Sequence, residues 1–392
     1  MLKKLKDECY IVMGQSPSST NYNSDKNGTP FMQGRKTFGD KYPTIDTWTT
    51  KLTKIAPKGS ILMSVRAPVG DVNVAPCDLC IGRGLASIKM KNGNNQYLYY
   101  LLKNNSELLK NRSTGTVFDA INKEDLENIV FDFHDEKDQA KISEILNNID
   151  RKINLNNKIN DNLFELLKSN FRNKFYNKEG KKSYLSDFIS ETIGGDWGKE
   201  SPEGNNNTKV YCVRGADIPN MEYGNKGNAP TRYILEKNYK NKKLDPNNII
   251  IEISGGSSTQ STGRTAYITK SILDMYDSPL LCTNFCRAIE TRDELLAPFV
   301  YMNLKLMYED NIFFNWENGT TGIKNLALND MLSNIEVKQP DKNDLKAYNL
   351  LFNSFMNKIS HNSNENIKLE QLRDTLLPKI MNGEIDLNNV EI

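Results

Sequence analysis

The segment ILNNIDRKINLNNKIN, residues 145–160, has the apolar spacing of a long helix, but it carries asparagine where that spacing calls for apolar residues. Alternating steps of four and three residues define one helix face: Ile142, Leu146, Ile149, Ile153, Asn156, Asn160, Leu163 and Leu167. Such a narrow heptad stripe cannot be buried by a single helix and requires a partner. The segment therefore predicts a paired helix with two asparagines at the centre of its seam.

The chain itself supplies the partner, because the pattern occurs twice. An offset of 206 residues aligns residues 135–168 with a second copy. It matches the seam asparagines, Asn156 with Asn362 and Asn160 with Asn366. Ordered similarity of this kind indicates an internal duplication.

The parts that precede the helices also repeat. A smaller offset of 180 residues aligns LKDECYIVMGQS (5–16) with LSDFISETIGGD (185–196), where Gly14 meets Gly194. Because the offset grows along the chain, the second copy must contain inserted loops. Each copy therefore consists of a globular block followed by a long helix.

Short β-rich runs bounded by Gly, Pro and Asn alternate with short helical patterns in both blocks. We predict an α+β fold: two similar mixed α/β domains separated by two long helices, which pack as an antiparallel intramolecular coiled coil. The predicted boundaries are residues 1–133, 134–183, 184–339 and 340–392.

Acidic residues mark both helix starts. Asp135 and Asp341 are predicted N-caps, and Pro378 is predicted to end or kink the second helix. Antiparallel packing would place Asn156 across from Asn366, and Asn160 across from Asn362. Buried asparagines of this kind penalise registers that leave them unpaired. The alternative is that they only reflect an Asn-rich composition.

Bulk properties limit the class of protein. The chain has 392 residues, a net charge of +2, and no apolar run long enough for a signal peptide or a membrane span. We expect a cytoplasmic protein without membrane contact, in which the six cysteines stay reduced. The pairs Cys77–Cys80 and Cys282–Cys286 lie in apolar runs, which favours packing over a zinc site with its four converging ligands. Because the net charge of the whole chain is small, any surface that binds nucleic acid must arise from a local cluster of basic residues.

The sequence contains no recognisable catalytic motif. Neither a GxGxxG nucleotide turn nor a P-loop is present. The two histidines, His134 and His361, argue against catalytic triads and His-rich metal sites. We predict no catalytic residue, no metal site and no cofactor in this chain. Trp48, Trp197 and Trp316 are predicted core anchors rather than base-stacking platforms.

The chain resembles, over nearly its whole length, the specificity subunits of Type I restriction–modification systems. The segments that carry the resemblance are MGQSPSSTNYN (13–23), GTPFMQGRKTFGDKYP (28–43), ILMSVRAPVGDVNVA (61–75), INKEDLENIVF (121–131), residues 135–174 and LRDTLLPKIMNGEI (372–385). Each motif alone is weak evidence for the resemblance. Their order, spacing and duplication together are specific to this family. The second block departs from the pattern, with IGGDWGKESPEG (193–204) in place of MGQSPSST.

The resemblance implies a non-catalytic DNA-specificity subunit. Its two blocks would be target-recognition domains, each reading one half of a bipartite double-stranded DNA target. The long helices would set their spacing and dock two methyltransferase subunits, which restriction/translocase subunits then join. S-adenosylmethionine, ATP and Mg²⁺ would be bound by those partners.

Base edges are read mainly by Arg, Lys, Asn and Gln, whereas basic and hydroxyl groups hold phosphates. The predicted DNA-binding residues are Gln33, Arg35, Lys36, Arg66, Arg83 and Arg112 in the first block, and Arg214, Ser258, Gln260, Arg264 and Lys324 in the second. The alternative for each is an ordinary surface side chain.

Two other classes of function stay open. One is a stand-alone sequence-specific nuclease, which would need an acidic cluster around a divalent metal ion. The other is a scaffold built on the coiled coil. Binding to a pool of random DNA duplexes distinguishes a scaffold from a DNA-specificity subunit, because a scaffold would enrich no split DNA sequence.

Overall fold

The fold was analysed in a computed structural model that describes residues 1–111, 120–257, 259–319 and 322–387. Contacts divide the chain into two compact units, residues 1–151 with 369–392 and residues 152–368. Each unit contains one globular block and a part of each long helix. The α+β fold with two long helices is confirmed.

The first block contains short strands and helices that follow its β-rich runs. Its elements are β1 (Leu2–Lys4), α1 (Leu5–Glu8), β2 (Cys9–Met13), β3 (Tyr22–Asn23), β4 (Thr29–Met32), β5 (Trp48–Thr49), β6 (Ile55–Ala56), β7 (Ile61–Ser64), β8 (Val72–Val74), β9 (Leu79–Ile81), β10 (Leu85–Met90), α2 (Asn95–Asn104), α3 (Ser106–Asn111), α4 (Lys123–Glu127) and β11 (Val130–Asp132). The helix α5 (Glu136–Phe171) follows.

Two sheets form the body of this block. One has the strand order β2-β10-β7-β8, and the other the order β3-β5-β4-β9-β6. Strand β7 is buried along its whole length because α2 packs against its sheet. In the second sheet β4 and β9 are parallel, with Phe31 opposite Cys80. Strands β1 and β11 pair where the block begins and ends.

The second block repeats this layout with longer loops. Its elements are β12 (Lys182–Tyr184), β13 (Ile189–Gly194), β14 (Asn206–Val213), α6 (Ile218–Glu222), β15 (Thr231–Leu235), α7 (Glu236–Lys242), β16 (Ile249–Glu252), β17 (Ser254–Gly255), β18 (Thr265–Tyr267), α8 (Lys270–Asp274), β19 (Leu280–Cys282), β20 (Cys286–Thr291), α9 (Ala297–Glu309), β21 (Glu317–Asn318), β22 (Lys324–Leu326), α10 (Leu328–Asn334) and β23 (Glu336–Lys338). The helix α11 (Lys342–Met381) follows.

The four-stranded sheets of the two blocks correspond strand by strand, and a parallel strand pair is common to their second sheets. The order β13-β20-β16-β18 repeats β2-β10-β7-β8, and the parallel pair β14–β19 repeats β4–β9. The remaining sheets have the orders β15-β14-β19, β17-β22-β21 and β12-β23. The duplication inferred from the sequence is therefore present in the strand topology.

One detail of the predicted alignment is wrong. The register between β13 and β20 shifts between Ile189 and Glu191, so Ser190 is an extra residue in the strand. Met13 and Gly194 then occupy equivalent pairing positions, and Gly14 corresponds to Gly195 rather than to Gly194. A β-bulge inserts one residue in this way without breaking the rest of the ladder.

The helix starts agree with the prediction, and of the two effects predicted for Pro378 the structure excludes termination of α11. The Asp135 carboxylate accepts a hydrogen bond from the Asp138 N–H at 2.8 Å, and the Asp341 carboxylate accepts one from the Asn343 N–H at 2.8 Å. Pro378 lies inside α11, which continues to Met381. Pro378 therefore removes one helical hydrogen bond without terminating the helix.

In the second unit, the two helix segments pack antiparallel through the seam asparagines. Asn156 Nδ2 donates to Asn366 Oδ1 at 2.9 Å, and Asn362 Nδ2 donates to Asn160 Oδ1 at 2.8 Å. All four side chains are buried. These are the partners that the antiparallel alignment predicts. Asn366 Nδ2 also donates to Asn157 Oδ1 at 2.8 Å, which satisfies a further polar atom.

In the first unit, the helix segments meet around a buried carboxylate. Asp150 accepts hydrogen bonds from Lys41 Nζ at 2.7 Å, Tyr100 Oη at 2.5 Å and Arg373 Nη1 at 3.0 Å. Burial alone would raise the pKa of Asp150, but the charges and hydrogen bonds of Lys41, Tyr100 and Arg373 outweigh it and hold the pKa below its ordinary value. This ionic cluster joins the first block to both helices.

Cysteine chemistry and membrane spans were also considered. All six cysteines carry free thiols, and burial raises the pKa of Cys9, Cys212 and Cys286 to about 12. No helix within the described ranges is both long and apolar enough to cross a membrane. In the same ranges, no cluster of three or more His, Cys, Asp or Glu side chains could hold a metal ion.

Candidate nucleic-acid interface

Four chain segments of the first block meet where their strands end. Gln15 N–H donates to the Ile81 carbonyl at 2.9 Å, and Gly82 N–H donates to the Met32 carbonyl at 2.8 Å. Val65 N–H donates to the Gly84 carbonyl at 3.0 Å. We call this surface the first loop edge; it consists of residues 14–16, 33–34, 65–66 and 82–84.

Three of the predicted DNA-binding residues, Gln33, Arg66 and Arg83, lie on the first loop edge. Ser16 Oγ donates to Gln33 Oε1 at 2.8 Å and accepts from the Arg83 backbone N–H at 3.2 Å. The guanidinium groups of Arg66 and Arg83 are exposed and make no hydrogen bond or ion pair with a residue that the structure describes. The edge therefore presents one oriented amide and two available guanidinium groups.

Two glycines allow these segments to approach closely. A Cβ atom at Gly82 would lie 2.9 Å from Gln33 Cα, and one at Gly84 would lie 2.7 Å from the Gln33 carbonyl oxygen. Both contacts involve backbone that cannot move without separating the strands. The sequence Gly82-Arg83-Gly84 thus places an arginine between two positions where only glycine fits.

Arg35 and Lys36 belong to a different cleft of about 550 Å³, which Lys103 and Lys110 also line. Arg35 forms an ion pair with Asp71. The cleft combines four cationic side chains with the carboxylates of Asp40 and Asp71. The structure therefore separates this pair from Gln33, Arg66 and Arg83.

The second block forms the same edge with the same backbone bonds. Asp196 N–H donates to the Cys282 carbonyl at 2.8 Å, and Thr283 N–H donates to the Val213 carbonyl at 2.9 Å. Ile253 N–H donates to the Phe285 carbonyl at 2.8 Å. We call residues 195–197, 214–215, 253–254 and 283–285 the second loop edge.

These bonds define which positions of the two edges are equivalent. The pairs are Ser16 and Trp197, Gln33 and Arg214, Arg66 and Ser254, Arg83 and Asn284, and Gly84 and Phe285. The backbone is repeated, whereas every one of these side chains differs. Two copies of one framework therefore present different chemical groups.

The second loop edge surrounds a mainly apolar cleft of about 470 Å³. Trp197, Phe285 and Ile323 line it, together with Asn284. Trp197 is 39% exposed, and the Arg232 guanidinium carbon lies 4.0 Å from the centroid of its ring. The prediction that Trp197 is a core anchor is therefore wrong, whereas Trp48 and Trp316 are half-buried.

Arg214 lies on the second loop edge, but part of its guanidinium is occupied. Its Nε and Nη2 donate to the buried Asp217 carboxylate at 3.1 and 3.2 Å. This bond raises the pKa of Arg214 above its ordinary value. Asp217 therefore fixes the direction in which the remaining nitrogen, Nη1, can point.

Arg264 lies behind the edge rather than on it. Its Nε and Nη2 donate to the buried Glu252 carboxylate at 2.9 and 2.5 Å. A Cβ atom at Gly215 would lie 2.2 Å from Glu252 Oε1, so this ion pair also requires glycine at residue 215. We conclude that Arg264 supports the loop that carries Arg214.

The other predicted residues of the second block are dispersed. Lys324 Nζ donates to Glu317 Oε2 at 2.7 Å, and Gln260 Nε2 donates to Tyr308 Oη at 3.1 Å. Two further predictions, Arg112 and Ser258, lie outside the described residues. The structure therefore does not group Gln260 and Lys324 with Arg214.

The sequence-based prediction missed three residues of the edges, Ser16, Asn284 and Phe285, and also Ile323, which lines the adjoining cleft. Phe285 and Ile323 are apolar, whereas base reading was expected mainly from basic and amide side chains. Asn284 is an amide, but no local pattern distinguishes it from the many other asparagines of the chain. One signal was present, because the turns that follow β9 and β19 have equivalent positions in the repeat. An alignment of the halves through this region would have paired Asn284 with Arg83.

The chain is similar to several known proteins. A family model described as the Type I restriction modification DNA specificity domain matches residues 1–165. A putative type I restriction enzyme MjaX specificity subunit of Methanocaldococcus jannaschii is 43% identical over 150 residues, which cover 38% of this chain and 35% of that protein. The match thus spans about a third of the length of that relative.

Two further similarities extend along nearly the whole chain. The type I restriction enzyme MjaIX specificity subunit of Methanocaldococcus jannaschii is 24% identical over 98% of this chain and 93% of its own length. The crystal structure of the Type-I restriction-modification system S subunit from M. genitalium aligns with a TM-score of 0.57 and 16% identity, over 97% of this chain and 95% of that one, and it shares the fold. The chain is thus similar to specificity subunits of Type I restriction–modification systems, through the family model over residues 1–165 and through these two proteins over nearly its whole length.

Proposed function

We propose that this chain reads a bipartite double-stranded DNA target, with the first loop edge reading one half and the second loop edge the other. The observation that carries the proposal is the equivalence of the two edges. The same backbone bonds hold both, yet their exposed side chains differ at Ser16 and Trp197, Gln33 and Arg214, and Arg83 and Asn284. A repeated framework with changed side chains fits two readers of different sequences.

The proposal extends to the partners that the similarity to Type I specificity subunits implies. The long helices would set the separation of the half-sites and dock two methyltransferase subunits, and restriction/translocase subunits would join that core. The chain would contribute recognition and no chemistry, while S-adenosylmethionine, ATP and Mg²⁺ would act on the partners. The cytoplasm is the proposed compartment, where the six free thiols persist.

The test is selection from a random duplex pool. The full chain, produced together with its methyltransferase subunits, is bound to the pool, and the retained DNA is sequenced. We expect two short conserved segments separated by a gap of constant length. Enrichment of no split sequence would refute the proposal and favour a scaffold, and methyl transfer or cleavage by the chain alone would contradict its non-catalytic role.

A further inference from the structure

The turn between β19 and β20 carries two exposed side chains of different chemistry. Asn284 is exposed, and its amide makes no hydrogen bond with any residue in the described ranges. Phe285 is 53% exposed, and Ile323, which lines the same cleft, is 63% exposed. An unsatisfied amide thus lies beside exposed apolar groups.

The fold does not require these side chains. In the first block, the equivalent turn has Arg83 and Gly84 and makes the same backbone bond. Val65 N–H reaches the Gly84 carbonyl at 3.0 Å, as Ile253 N–H reaches the Phe285 carbonyl at 2.8 Å. Because the same turn forms in the first block with Arg and Gly at these two positions, its backbone does not require Asn and Phe in the second block. Phe285 shares its cleft with the exposed side chains of Trp197 and Ile323, and a contiguous exposed apolar patch of this kind indicates a contact with a ligand.

The chemistry of this pair matches one base pair in the DNA major groove. An Asn amide can form two hydrogen bonds with adenine, donating to N7 and accepting from the N6 amino group. A Phe side chain can pack against the C5-methyl group of the paired thymine. Guanine and cytosine lack that methyl group, and the minor groove does not display it. Arg83, at the equivalent position of the first block, matches guanine instead.

We propose that Asn284 and Phe285 make the second block read adenine–thymine in the major groove, with the Asn284 amide on adenine and Phe285 and Ile323 against a thymine methyl group. This inference rests on the proposed function, because it assigns a base type to one of the two reading edges. The β19–β20 turn then carries specificity-determining positions of the second block.

The first experiment changes the amide. The full chain with its methyltransferase subunits is selected against random duplexes, as unaltered protein and as Asn284→Ala. We expect the variant to lose about 10-fold discrimination at one adenine–thymine position of one half-site, with the other half-site unchanged. Asn220→Ala is the matched control, because Asn220 is an exposed asparagine of the same block that does not line the cleft. The control should keep the complete consensus.

The second experiment changes only the methyl group. Uracil replaces each thymine of that half-site in turn, and affinity is measured for the unaltered complex, Phe285→Ala and Ile323→Ala. At one thymine the unaltered complex should bind about fourfold more weakly to uracil, as expected for the loss of one buried methyl group. Phe285→Ala should bind thymine and uracil equally, and Ile323→Ala should reduce the difference. Thermal unfolding identifies any variant that fails to fold.

The outcomes separate the two proposals. If the unaltered complex selects no split sequence, the proposed function fails, and this inference fails with it. If it selects a split sequence but Asn284→Ala retains full discrimination, only the inference fails. Equal binding of thymine and uracil at every position of the half-site would likewise overturn the contact with the methyl group.

Discussion

At the residue scale, the buried carboxylate of Asp150 is the strongest polar feature of the first unit. Lys41 and Arg373 neutralise it, and Tyr100 donates a third hydrogen bond. Such a cluster is costly to desolvate and very sensitive to the loss of one member. Asp150 falls beside the predicted seam, and the sequence does not reveal its partners because Lys41 and Arg373 lie 109 and 223 residues away.

Asp150→Ala should lower the free energy of unfolding by about 3 kcal/mol, because it leaves Lys41 and Arg373 buried without their counter-ion. Chemical denaturation measures the change. Arg151→Ala, next to it on the exposed face of α5, is the control and should stay within about 0.5 kcal/mol of the unaltered chain. A destabilisation no larger than that of the control would show that the cluster contributes little.

The same carboxylate gives a pH dependence with a definite sign. Its pKa is lowered in the folded state, so the ionised form stabilises the fold at every pH above the ordinary value of 3.8. This stabilisation is lost as the pH falls from there through the lower pKa of the folded state. Asp150→Asn should show a weaker loss of stability over that acidic range, and an identical pH profile would contradict this assignment.

At the element scale, the asparagine pairs set the register in which the two helix segments of the second unit pack. Single replacement by Asn156→Leu removes the donor of buried Asn366 Oδ1 and should cost about 1–3 kcal/mol. Replacing both Asn156 and Asn366 by Leu should be neutral or stabilising, because the buried polar atoms of the pair are removed together. Asn157 and Glu365, which each lose a hydrogen bond, are exposed or half-buried and can bond to water instead.

The register is the second readout for this pair. The double variant should populate other registers or oligomeric states, since leucine pairs equally well with several partners. Denaturation of both single variants and the double variant gives the coupling energy, and small-angle scattering follows the shape in solution. Additive losses with an unchanged shape would show that the two asparagines do not act as a pair.

The elements differ in how far local sequence predicts them. The starts of α5 and α11 follow from Asp135 and Asp341, because capping is a local interaction. The pairing of β4 with β9 joins Phe31 to Cys80, and no local pattern encodes it. Ser190 shows a further limit, since a bulge is recognised only from the register of the partner strand.

At the scale of the whole molecule, the duplication predicts that the two halves of the target are read independently. Arg83→Ala should relax a guanine position in one half-site, and Asn284→Ala an adenine position in the other. The double variant should show the product of the two losses, because the residues share no partner in the described structure. Sequencing of selected duplexes measures all three variants.

Arg83→Lys is the control for charge alone. Lysine keeps the cation but lacks the planar fork that pairs with a base, so it should retain overall affinity and lose discrimination. Full base discrimination by Arg83→Ala, with weakened overall affinity, would instead assign Arg83 to a phosphate. Loss of both half-sites from either single variant would show that the blocks are coupled.

The sequence by itself determined the duplication, the α+β class and the antiparallel matching of the asparagines, because periodicity and repetition depend on residues close along the chain or copied at a constant offset. It also predicted Gln33, Arg66 and Arg83 as DNA-binding residues. Only the tertiary structure decided that these three share an edge and that Arg264 lies behind Arg214. It also decided that Asn284 and Phe285 take the places of Arg83 and Gly84. These residues lie at the ends of strands that are far apart along the chain. Pairing between those strands, rather than any local sequence pattern, brings the residues together.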